Sequence, residues 1–153
     1  MSVLEMNNIR YSYDNKRNVL SGINMKLEEG KMYAILGQSG CGKTTLLSLL
    51  GGLDSPVDGQ ILYDGQDIEK LGLANHRKNN VAFIFQSYNL IDYLTPKENV
   101  ALTAKLSPQP ILERVGLTEE ECKRNVLKLS GGQQQRVAIA RALASDTKVI
   151  LAD

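Results

Sequence analysis

The stretch "MYAILGQSGCGKTT", residues 32–45, joins a run of apolar residues to a glycine-rich loop and then to the start of a helical pattern. The loop itself, "GQSGCGKTT" (residues 37–45), fits G-x-x-x-x-G-K-[ST] with Gly37, Gly42, Lys43 and Thr44 at the fixed positions. Several backbone N–H groups must converge on one point to hold a polyphosphate, and glycines let a loop wrap that tightly without Cβ clashes. A helix that starts there adds the positive end of its dipole. Lys43 is then placed for the β and γ phosphates, and the Thr44 hydroxyl for Mg²⁺. The competing reading is a chance glycine turn before a helix. A random chain of this length matches the pattern on the order of once in 200 trials, and here the strand, loop and helix also come in the required order. We therefore expect a nucleotide-phosphate site built from Gly37, Gln38, Ser39, Gly40, Cys41, Gly42, Lys43, Thr44 and Thr45.

Outward from the loop, residues 3–9, 23–27, 31–36, 60–63, 81–85 and 148–152 read as strands, some alternating and some continuously apolar. Residues 43–50 read as a helix with Leu46, Leu47 and Leu50 on one face, and residues 133–144 as another with Val137, Ala140 and Leu143 together. Apolar strands interleaved with helices predict an α/β core with a mainly parallel sheet. "SYDNKR" (residues 12–17) reads as an exposed loop between the first two strands. "SPVDGQILYDGQDI" (residues 55–68) brackets a short alternating strand with two Asp-Gly turn signals, which predicts an appended antiparallel edge element. Prolines 96, 108 and 110 punctuate the middle third, where residues 98–106 and 111–115 are expected to form short helices.

The chain of 153 residues suits one domain, and its formal net charge of +1 offers neither a polybasic nor an acidic partner surface. Cys41 and Cys122 match no metal-ligand or redox spacing, which points to a reducing compartment. No apolar run approaches the roughly 20 residues needed to cross a bilayer, and the N-terminus lacks a secretory pattern. Any membrane role is expected to come through a partner.

A second glycine motif narrows the class. In "LSGGQQQRVAIARAL" (residues 129–143), Ser130, Gly131 and Gly132 place a hydroxyl and unhindered backbone N–H groups at the start of a helix, which makes a second phosphate site. The alternative is a plain helix cap by Ser130. With Leu129 and Gln133 the five residues read LSGGQ, a pattern that chance produces about once in several thousand chains this long.

Here the sequence resembles the nucleotide-binding subunits of ATP-binding-cassette (ABC) transporters, and the resemblance runs over the whole chain. It implies a P-loop NTPase core over residues 1–153 with an N-terminal antiparallel β element and a helical subdomain at about residues 96–130. It also implies ATP and Mg²⁺ as cofactors and a head-to-tail pair of subunits. In that arrangement Leu129, Ser130, Gly131, Gly132 and Gln133 of one subunit close over the nucleotide held by the glycine loop of the other. Tyr13 resembles the aromatic that stacks on adenine, with Tyr11 as the competing candidate. Gln86, after "VAFIF", resembles the glutamine that touches Mg²⁺ and the attacking water. Asp153, ending "TKVILAD", resembles the carboxylate that holds Mg²⁺ through water. Thr44, Gln86 and Asp153 are thus the implied metal residues, and Lys43 and Gln86 the implied catalytic ones.

The resemblance also has breaks. The family places a glutamate directly after the aspartate and a switch histidine further on, and neither occurs in these residues. The single histidine, His76, precedes Gln86 and is expected to be an exposed helix or loop residue. We therefore expect an incomplete copy at the C-terminus that binds ATP and Mg²⁺ without its usual base, and a helical subdomain shorter than usual. The implied partners are an integral-membrane permease and a second ABC subunit, with no nucleic acid, at the inner face of the cell membrane. "GGLDSPVDGQILYDGQDI" and "YNLIDYLTPKENV" look most like the branch serving lipoprotein release, macrolide efflux and antimicrobial-peptide export. Import of amino acids or metals is the alternative within the class. Outside it stand a soluble ABC ATPase acting on ribosomes or DNA and a nucleotide-binding pseudo-enzyme without turnover.

Overall fold

The structure, a computed structural model, describes residues 1–153. It divides into two compact units, Met1–Asn80 and Val81–Asp153.

The first unit is built on a four-stranded antiparallel sheet of order β2-β1-β3-β4, with β1 Ser2–Tyr11, β2 Leu20–Glu28, β3 Asp58–Tyr63 and β4 Gln66–Asp67. The central strand β1 buries Leu4, Met6 and Ile9 almost completely. Period-2 alternation would turn Asn8 inward after Leu4 and Met6. Instead Asn8 takes a left-handed φ of 50° and the β1–β2 register shifts between Met6 and Ile9, so Ile9 takes the buried place. The expected antiparallel element is the β3–β4 hairpin, whose two-residue loop Asp64-Gly65 has φ of 46° and 79°. Two successive positive φ values match the twist of a tight hairpin, which is why Asp-Gly signalled it.

Helix α1, Lys43–Leu50, has the bounds that the sequence predicts, and it buries Thr45, Leu46, Leu49 and Leu50. Two short helices follow β4: α2, Ile68–Leu71, and α3, Leu73–Asn79. They carry the first correction. His76 is not exposed: it lies wholly buried in α3, its Nε2 at 3.0 Å from the Leu50 carbonyl and its Nδ1 at 3.2 Å from the Asn80 amide nitrogen. Its ring also packs edge-on against Tyr63 at 5.5 Å. The Leu50 carbonyl can only accept, so Nε2 carries the proton and Nδ1 accepts from Asn80. His76, with Arg77 donating to the Gly52 carbonyl, thereby satisfies carbonyls that the end of α1 leaves open.

The second correction concerns residues 31–36. They join no strand ladder, and Met32 and Leu36 are 98% and 90% exposed. An apolar run becomes a strand only where another strand offers it backbone partners. Parallel pairing is confined to the second unit, between β5, Val81–Ile84, and β6, Val149–Ala152, in register Val81↔Val149 to Ile84↔Ala152.

The rest of the second unit is helical: α4 Pro96–Ala101, α5 Pro108–Arg114, α6 Glu119–Cys122, a 3₁₀ turn Val126–Lys128, and α7 Gly131–Ala144. Helix α4 stops five residues short of the expected end, and α6 and the 3₁₀ turn were not expected. Helices α4, α6 and α7 each start with a reciprocal capping box, Thr95/Glu98, Thr118/Glu121 and Ser130/Gln133. Their shared core holds Val100, Leu112, Leu117, Cys122, Val126, Leu129, Val137, Ala140 and Ala144. Leu143, expected beside Val137 and Ala140, is 43% exposed, and Ala144 takes the inward place.

No helix is long and apolar enough to cross a membrane.

Burial and the neighbouring Arg77 push the His76 pKa below its ordinary value. The unfolded chain then takes up the proton first, so stability should hold above about pH 6.5 and fall as the pH drops below it. Denaturant titrations from pH 7.5 to 5 check this. His76→Ala should cost about 2 to 4 kcal/mol at neutral pH through the cavity and the orphaned carbonyl, and should flatten that slope.

Candidate functional site

The glycine loop closes through its own lysine. Lys43 Nζ donates to the carbonyls of Gly37 at 2.7 Å and Gln38 at 2.8 Å, and Cys41 N–H donates to Gln38 O at 3.2 Å. The ring is tight: a Cβ added at Gly37 would lie 2.5 Å from Cys41 Sγ. Gly42, the residue before α1, holds a φ of 102°, and a Cβ there would meet Val19 and Leu20 side chains at 3.2 and 3.1 Å. A side chain at Gly37 would have to displace the exposed Cys41 thiol, and at Gly42 the left-handed φ strains any residue but glycine. Gln38, Ser39, Gly40, Cys41 and Thr44 are exposed, which leaves the cradle accessible.

Tyr13 and Tyr11 part company. Tyr11 is buried, donates its hydroxyl to Asp54 and has its pKa pushed up to about 12, chiefly by that hydrogen bond. Tyr13 is 72% exposed, and its hydroxyl lies 2.7 Å from Thr45 Oγ1 in α1. The two rings meet edge to face, 5.0 Å between centroids. The loop carrying Tyr13 is fixed by the Asp14 carboxylate, which accepts from the Lys16 and Arg17 N–H groups at 2.9 and 3.2 Å. Those bonds lower the Asp14 pKa. Tyr13, Asp14 and Arg17 line a cleft of about 460 Å³ together with Gly40 and Cys41 of the glycine loop.

In the second unit, Gln86 and Asp153 are exposed just past the C-terminal ends of neighbouring parallel strands, and Asp153 N–H donates to the Ile84 carbonyl at 3.0 Å. Ligands of open α/β sheets gather at this end of the strands. Gln86 and Asp153 offer an amide and a carboxylate in this unit, and Thr44 a hydroxyl in the first unit; each is a hard oxygen donor of the type Mg²⁺ takes. No group of three or more His, Cys, Asp or Glu side chains is gathered to hold a metal. A hydrated Mg²⁺ that relies on phosphate oxygens needs no such group.

At α7, Ser130 Oγ accepts from Gln133 N–H at 3.2 Å while Gln133 Oε1 accepts from Ser130 N–H at 2.9 Å. Gln133 Nε2 also donates to Glu121 at 2.7 Å, and Leu129 is buried beneath. Ser130 therefore does cap the helix. A Cβ at Gly131 or Gly132 would meet nothing within 4 Å, and neither has a positive φ. The chain's own packing does not call for glycine at these places.

Sequence reading missed the residues that hold the segment after Gln86. Arg141, on α7, donates to the carbonyls of Tyr88 at 2.6 Å and Asn89 at 2.7 Å, two successive left-handed residues with φ of 63° and 48°. Burial lowers its pKa. Asn99, wholly buried, accepts from Ile91 N–H at 2.7 Å and donates to the carbonyls of Ile91 and Thr95 at 3.2 and 3.1 Å. Polar residues inside helical patterns were the only signal.

The profile of the family described as "ABC transporter" matches residues 20–153. The chain belongs to that family. It is 44% identical over 164 residues to the uncharacterized ABC transporter ATP-binding protein YclH of Bacillus subtilis, covering all of this chain and 73% of that protein. The methionine import ATP-binding protein MetN of Caulobacter vibrioides is 42% identical, over 88% of this ABC chain and 44% of its own. The macrolide export ATP-binding/permease protein MacB of Pasteurella multocida is 44% identical, over 99% of this chain and 26% of its own length. Among solved structures, the dimeric MJ0796, a bacterial ABC transporter cassette, superposes with a TM-score of 0.88 at 35% identity, covering 98% of this chain and 73% of that one. A post-hydrolysis state of MJ0796 has been solved with ADP and Pi bound. The fold is thus the P-loop ABC cassette fold, with this chain matching its N-terminal part.

Arg141→Met removes two charge-assisted bonds and should cost about 2 to 4 kcal/mol. Amide exchange over residues 87–91 should quicken while the exchange of α7 amides stays slow; unchanged exchange over 87–91 would contradict the clamp.

Proposed function

We propose that this chain is the ATP-binding, energy-coupling part of an ABC membrane transporter. The observation that carries the reading is the glycine cradle: closed by Lys43, led into α1 by a left-handed Gly42, and continuous with a cleft that Tyr13 lines. Backbone N–H groups of Gly37, Gln38, Ser39, Gly40, Cys41, Gly42 and Thr45 surround the phosphates, and the Lys43 ammonium exchanges its two carbonyl partners for them. Tyr13 stacks on the nucleobase. Thr44, Gln86 and Asp153 supply the oxygen ligands for Mg²⁺, Gln86 standing where the attacking water is held. When bound, Mg²⁺ neutralises charge on the phosphates and so eases attack on the terminal one.

Leu129, Ser130, Gly131, Gly132 and Gln133 serve the nucleotide of a second subunit, so that ATP lies between the glycine loop of one and the LSGGQ of the other. Two observations support this. The glycines at 131 and 132 have no reason in local packing, and the solved relative MJ0796 is a dimer. Hydrolysis belongs to the assembled cassette. His76 is engaged at the end of α1, away from any switch role.

The chain acts with an integral-membrane permease, peripherally on the inner face of the cell membrane. Export of the macrolide or peptide kind is the branch we favour, on the 44% identity to a macrolide exporter; the relative that serves methionine import supports the alternative.

Lys43→Ala should weaken ATP binding at least tenfold, because a charge-assisted contact is worth roughly 1.5 to 3 kcal/mol. Isothermal titration of the purified chain reads it, and an unchanged dissociation constant sinks the assignment. Asp153→Asn should leave Mg²⁺-free ATP binding as it was and reduce the gain that Mg²⁺ brings.

A further inference from the structure

Tyr13 as a nucleobase platform leaves two features unexplained. Tyr11 is buried, yet it spends its hydroxyl on Asp54, an exposed residue beyond the end of α1. Its ring meets Tyr13 at 90° and 5.0 Å, the edge-to-face arrangement in which the positive edge of one ring meets the negative face of the other. Tyr13, for its part, is pinned at its hydroxyl by Thr45, two residues after Lys43. The order of contacts is therefore Asp54, Tyr11, Tyr13, Thr45. Both of its ends belong to the α1 region, and its middle rests on β1 and the loop that follows. An exposed tyrosine elsewhere would sample several rotamers, and fixing it on binding would weaken affinity about two- to tenfold. Here the ring is fixed beforehand.

We propose that Tyr11, held by Asp54, is a positioning residue that presets the Tyr13 ring as a rigid nucleobase platform at a fixed height above the glycine loop. This rests on the nucleotide reading above and adds the residues that determine how much the base contributes to binding. Tyr11 suits the role chemically. Its raised pKa of about 12 keeps the hydroxyl protonated, and so a donor to Asp54, throughout the pH range in which proteins work. The Asp54 carboxylate is exposed, so removing its partner orphans no buried charge. The loop between Tyr13 and Val19 closes on its own through Ser12, Asp14 and the Val19 N–H bond to the Tyr11 carbonyl at 2.8 Å. Loss of the Tyr11 ring therefore acts on the Tyr13 ring more than on the course of the backbone.

The test compares ATP with inorganic tripolyphosphate, which shares the phosphates and lacks the base, on the full chain with Mg²⁺ present. Wild type should bind ATP more tightly than tripolyphosphate. Tyr11→Leu should weaken ATP about three- to tenfold while leaving tripolyphosphate within about twofold, the range expected for loss of an aromatic pair. Tyr11→Phe keeps the ring edge and loses Asp54, and should fall between. In a Tyr13→Ala background, Tyr11→Leu should have no further effect on the ratio. Equal weakening of both ligands, an unchanged ATP affinity in Tyr11→Leu, or full additivity with Tyr13→Ala would each overturn the proposal. If Lys43→Ala weakens neither ligand, the nucleotide reading itself fails. If Lys43→Ala weakens both and Tyr11→Leu neither, the phosphate site stands and the positioning role is lost.

Discussion

Lys43 turns back across its own loop and donates to the carbonyls of Gly37 and Gln38. Most of the candidate site depends on that contact. A loop that curls its N–H groups toward one point must crowd its backbone and aim several dipoles at the same place, an arrangement that repels itself. The ammonium bridges the start of the loop to the first turn of α1 and so closes the ring. Closure brings Gly37 up against the Cys41 thiol and goes with the left-handed φ that Gly42 adopts immediately before the helix. The position of Tyr13 follows, because the residue to which its hydroxyl is bonded, Thr45, is fixed in the same turn.

Much of this was legible beforehand because the glycine loop and the LSGGQ helix are local. Their spacing, their caps and their backbone demands all fall within a dozen residues, and α1 begins and ends where the pattern says. The Asp64-Gly65 hairpin was legible for the same reason. What stayed hidden depends on partners distant in sequence. Residues 31–36 have strand composition, but composition does not provide a neighbouring edge, and no ladder forms. His76 sits in a polar stretch, "LANHRKNN", whose character says exposed; the open carbonyl at Leu50, 26 positions earlier, draws it inward. Arg141 looks like a solvated helix charge until the carbonyls of Tyr88 and Asn89 are seen beneath it. The choice between Tyr11 and Tyr13 likewise needed Asp54, more than forty positions on, to show which ring is committed to the interior.

The second unit handles its polar residues in a related way. Three helices begin with the same reciprocal cap, and each is followed by residues of the one apolar cluster. Caps of this kind supply about 1 kcal/mol apiece and fix where a helix starts. That matters most in α6 and α4, of four and six residues, which are too short to hold together by their internal bonds. Arg141 of α7 and Asn99 of α4 then hold the stretch after β5 from the side of these helices, and it is the Arg141 side chain that ties the segment following Gln86 to the helix that begins after Ser130.

Several of the polar groups proposed to meet the nucleotide already have partners within the protein. Lys43 has two carbonyls, Tyr13 has Thr45, Ser130 has the Gln133 N–H, and Gln133 has Glu121. Binding at such a site exchanges hydrogen bonds and adds few new ones, and the net gain from an exchanged neutral bond is small. The free energy must come from what the internal partners lack: the full negative charge of the phosphates against an ammonium and a helix N-terminus, and the stacking area of a base on a ring fixed in advance. A site built this way keeps its shape without a ligand. It also favours a charged polyphosphate with an aromatic base over any neutral molecule that could only replace the carbonyls.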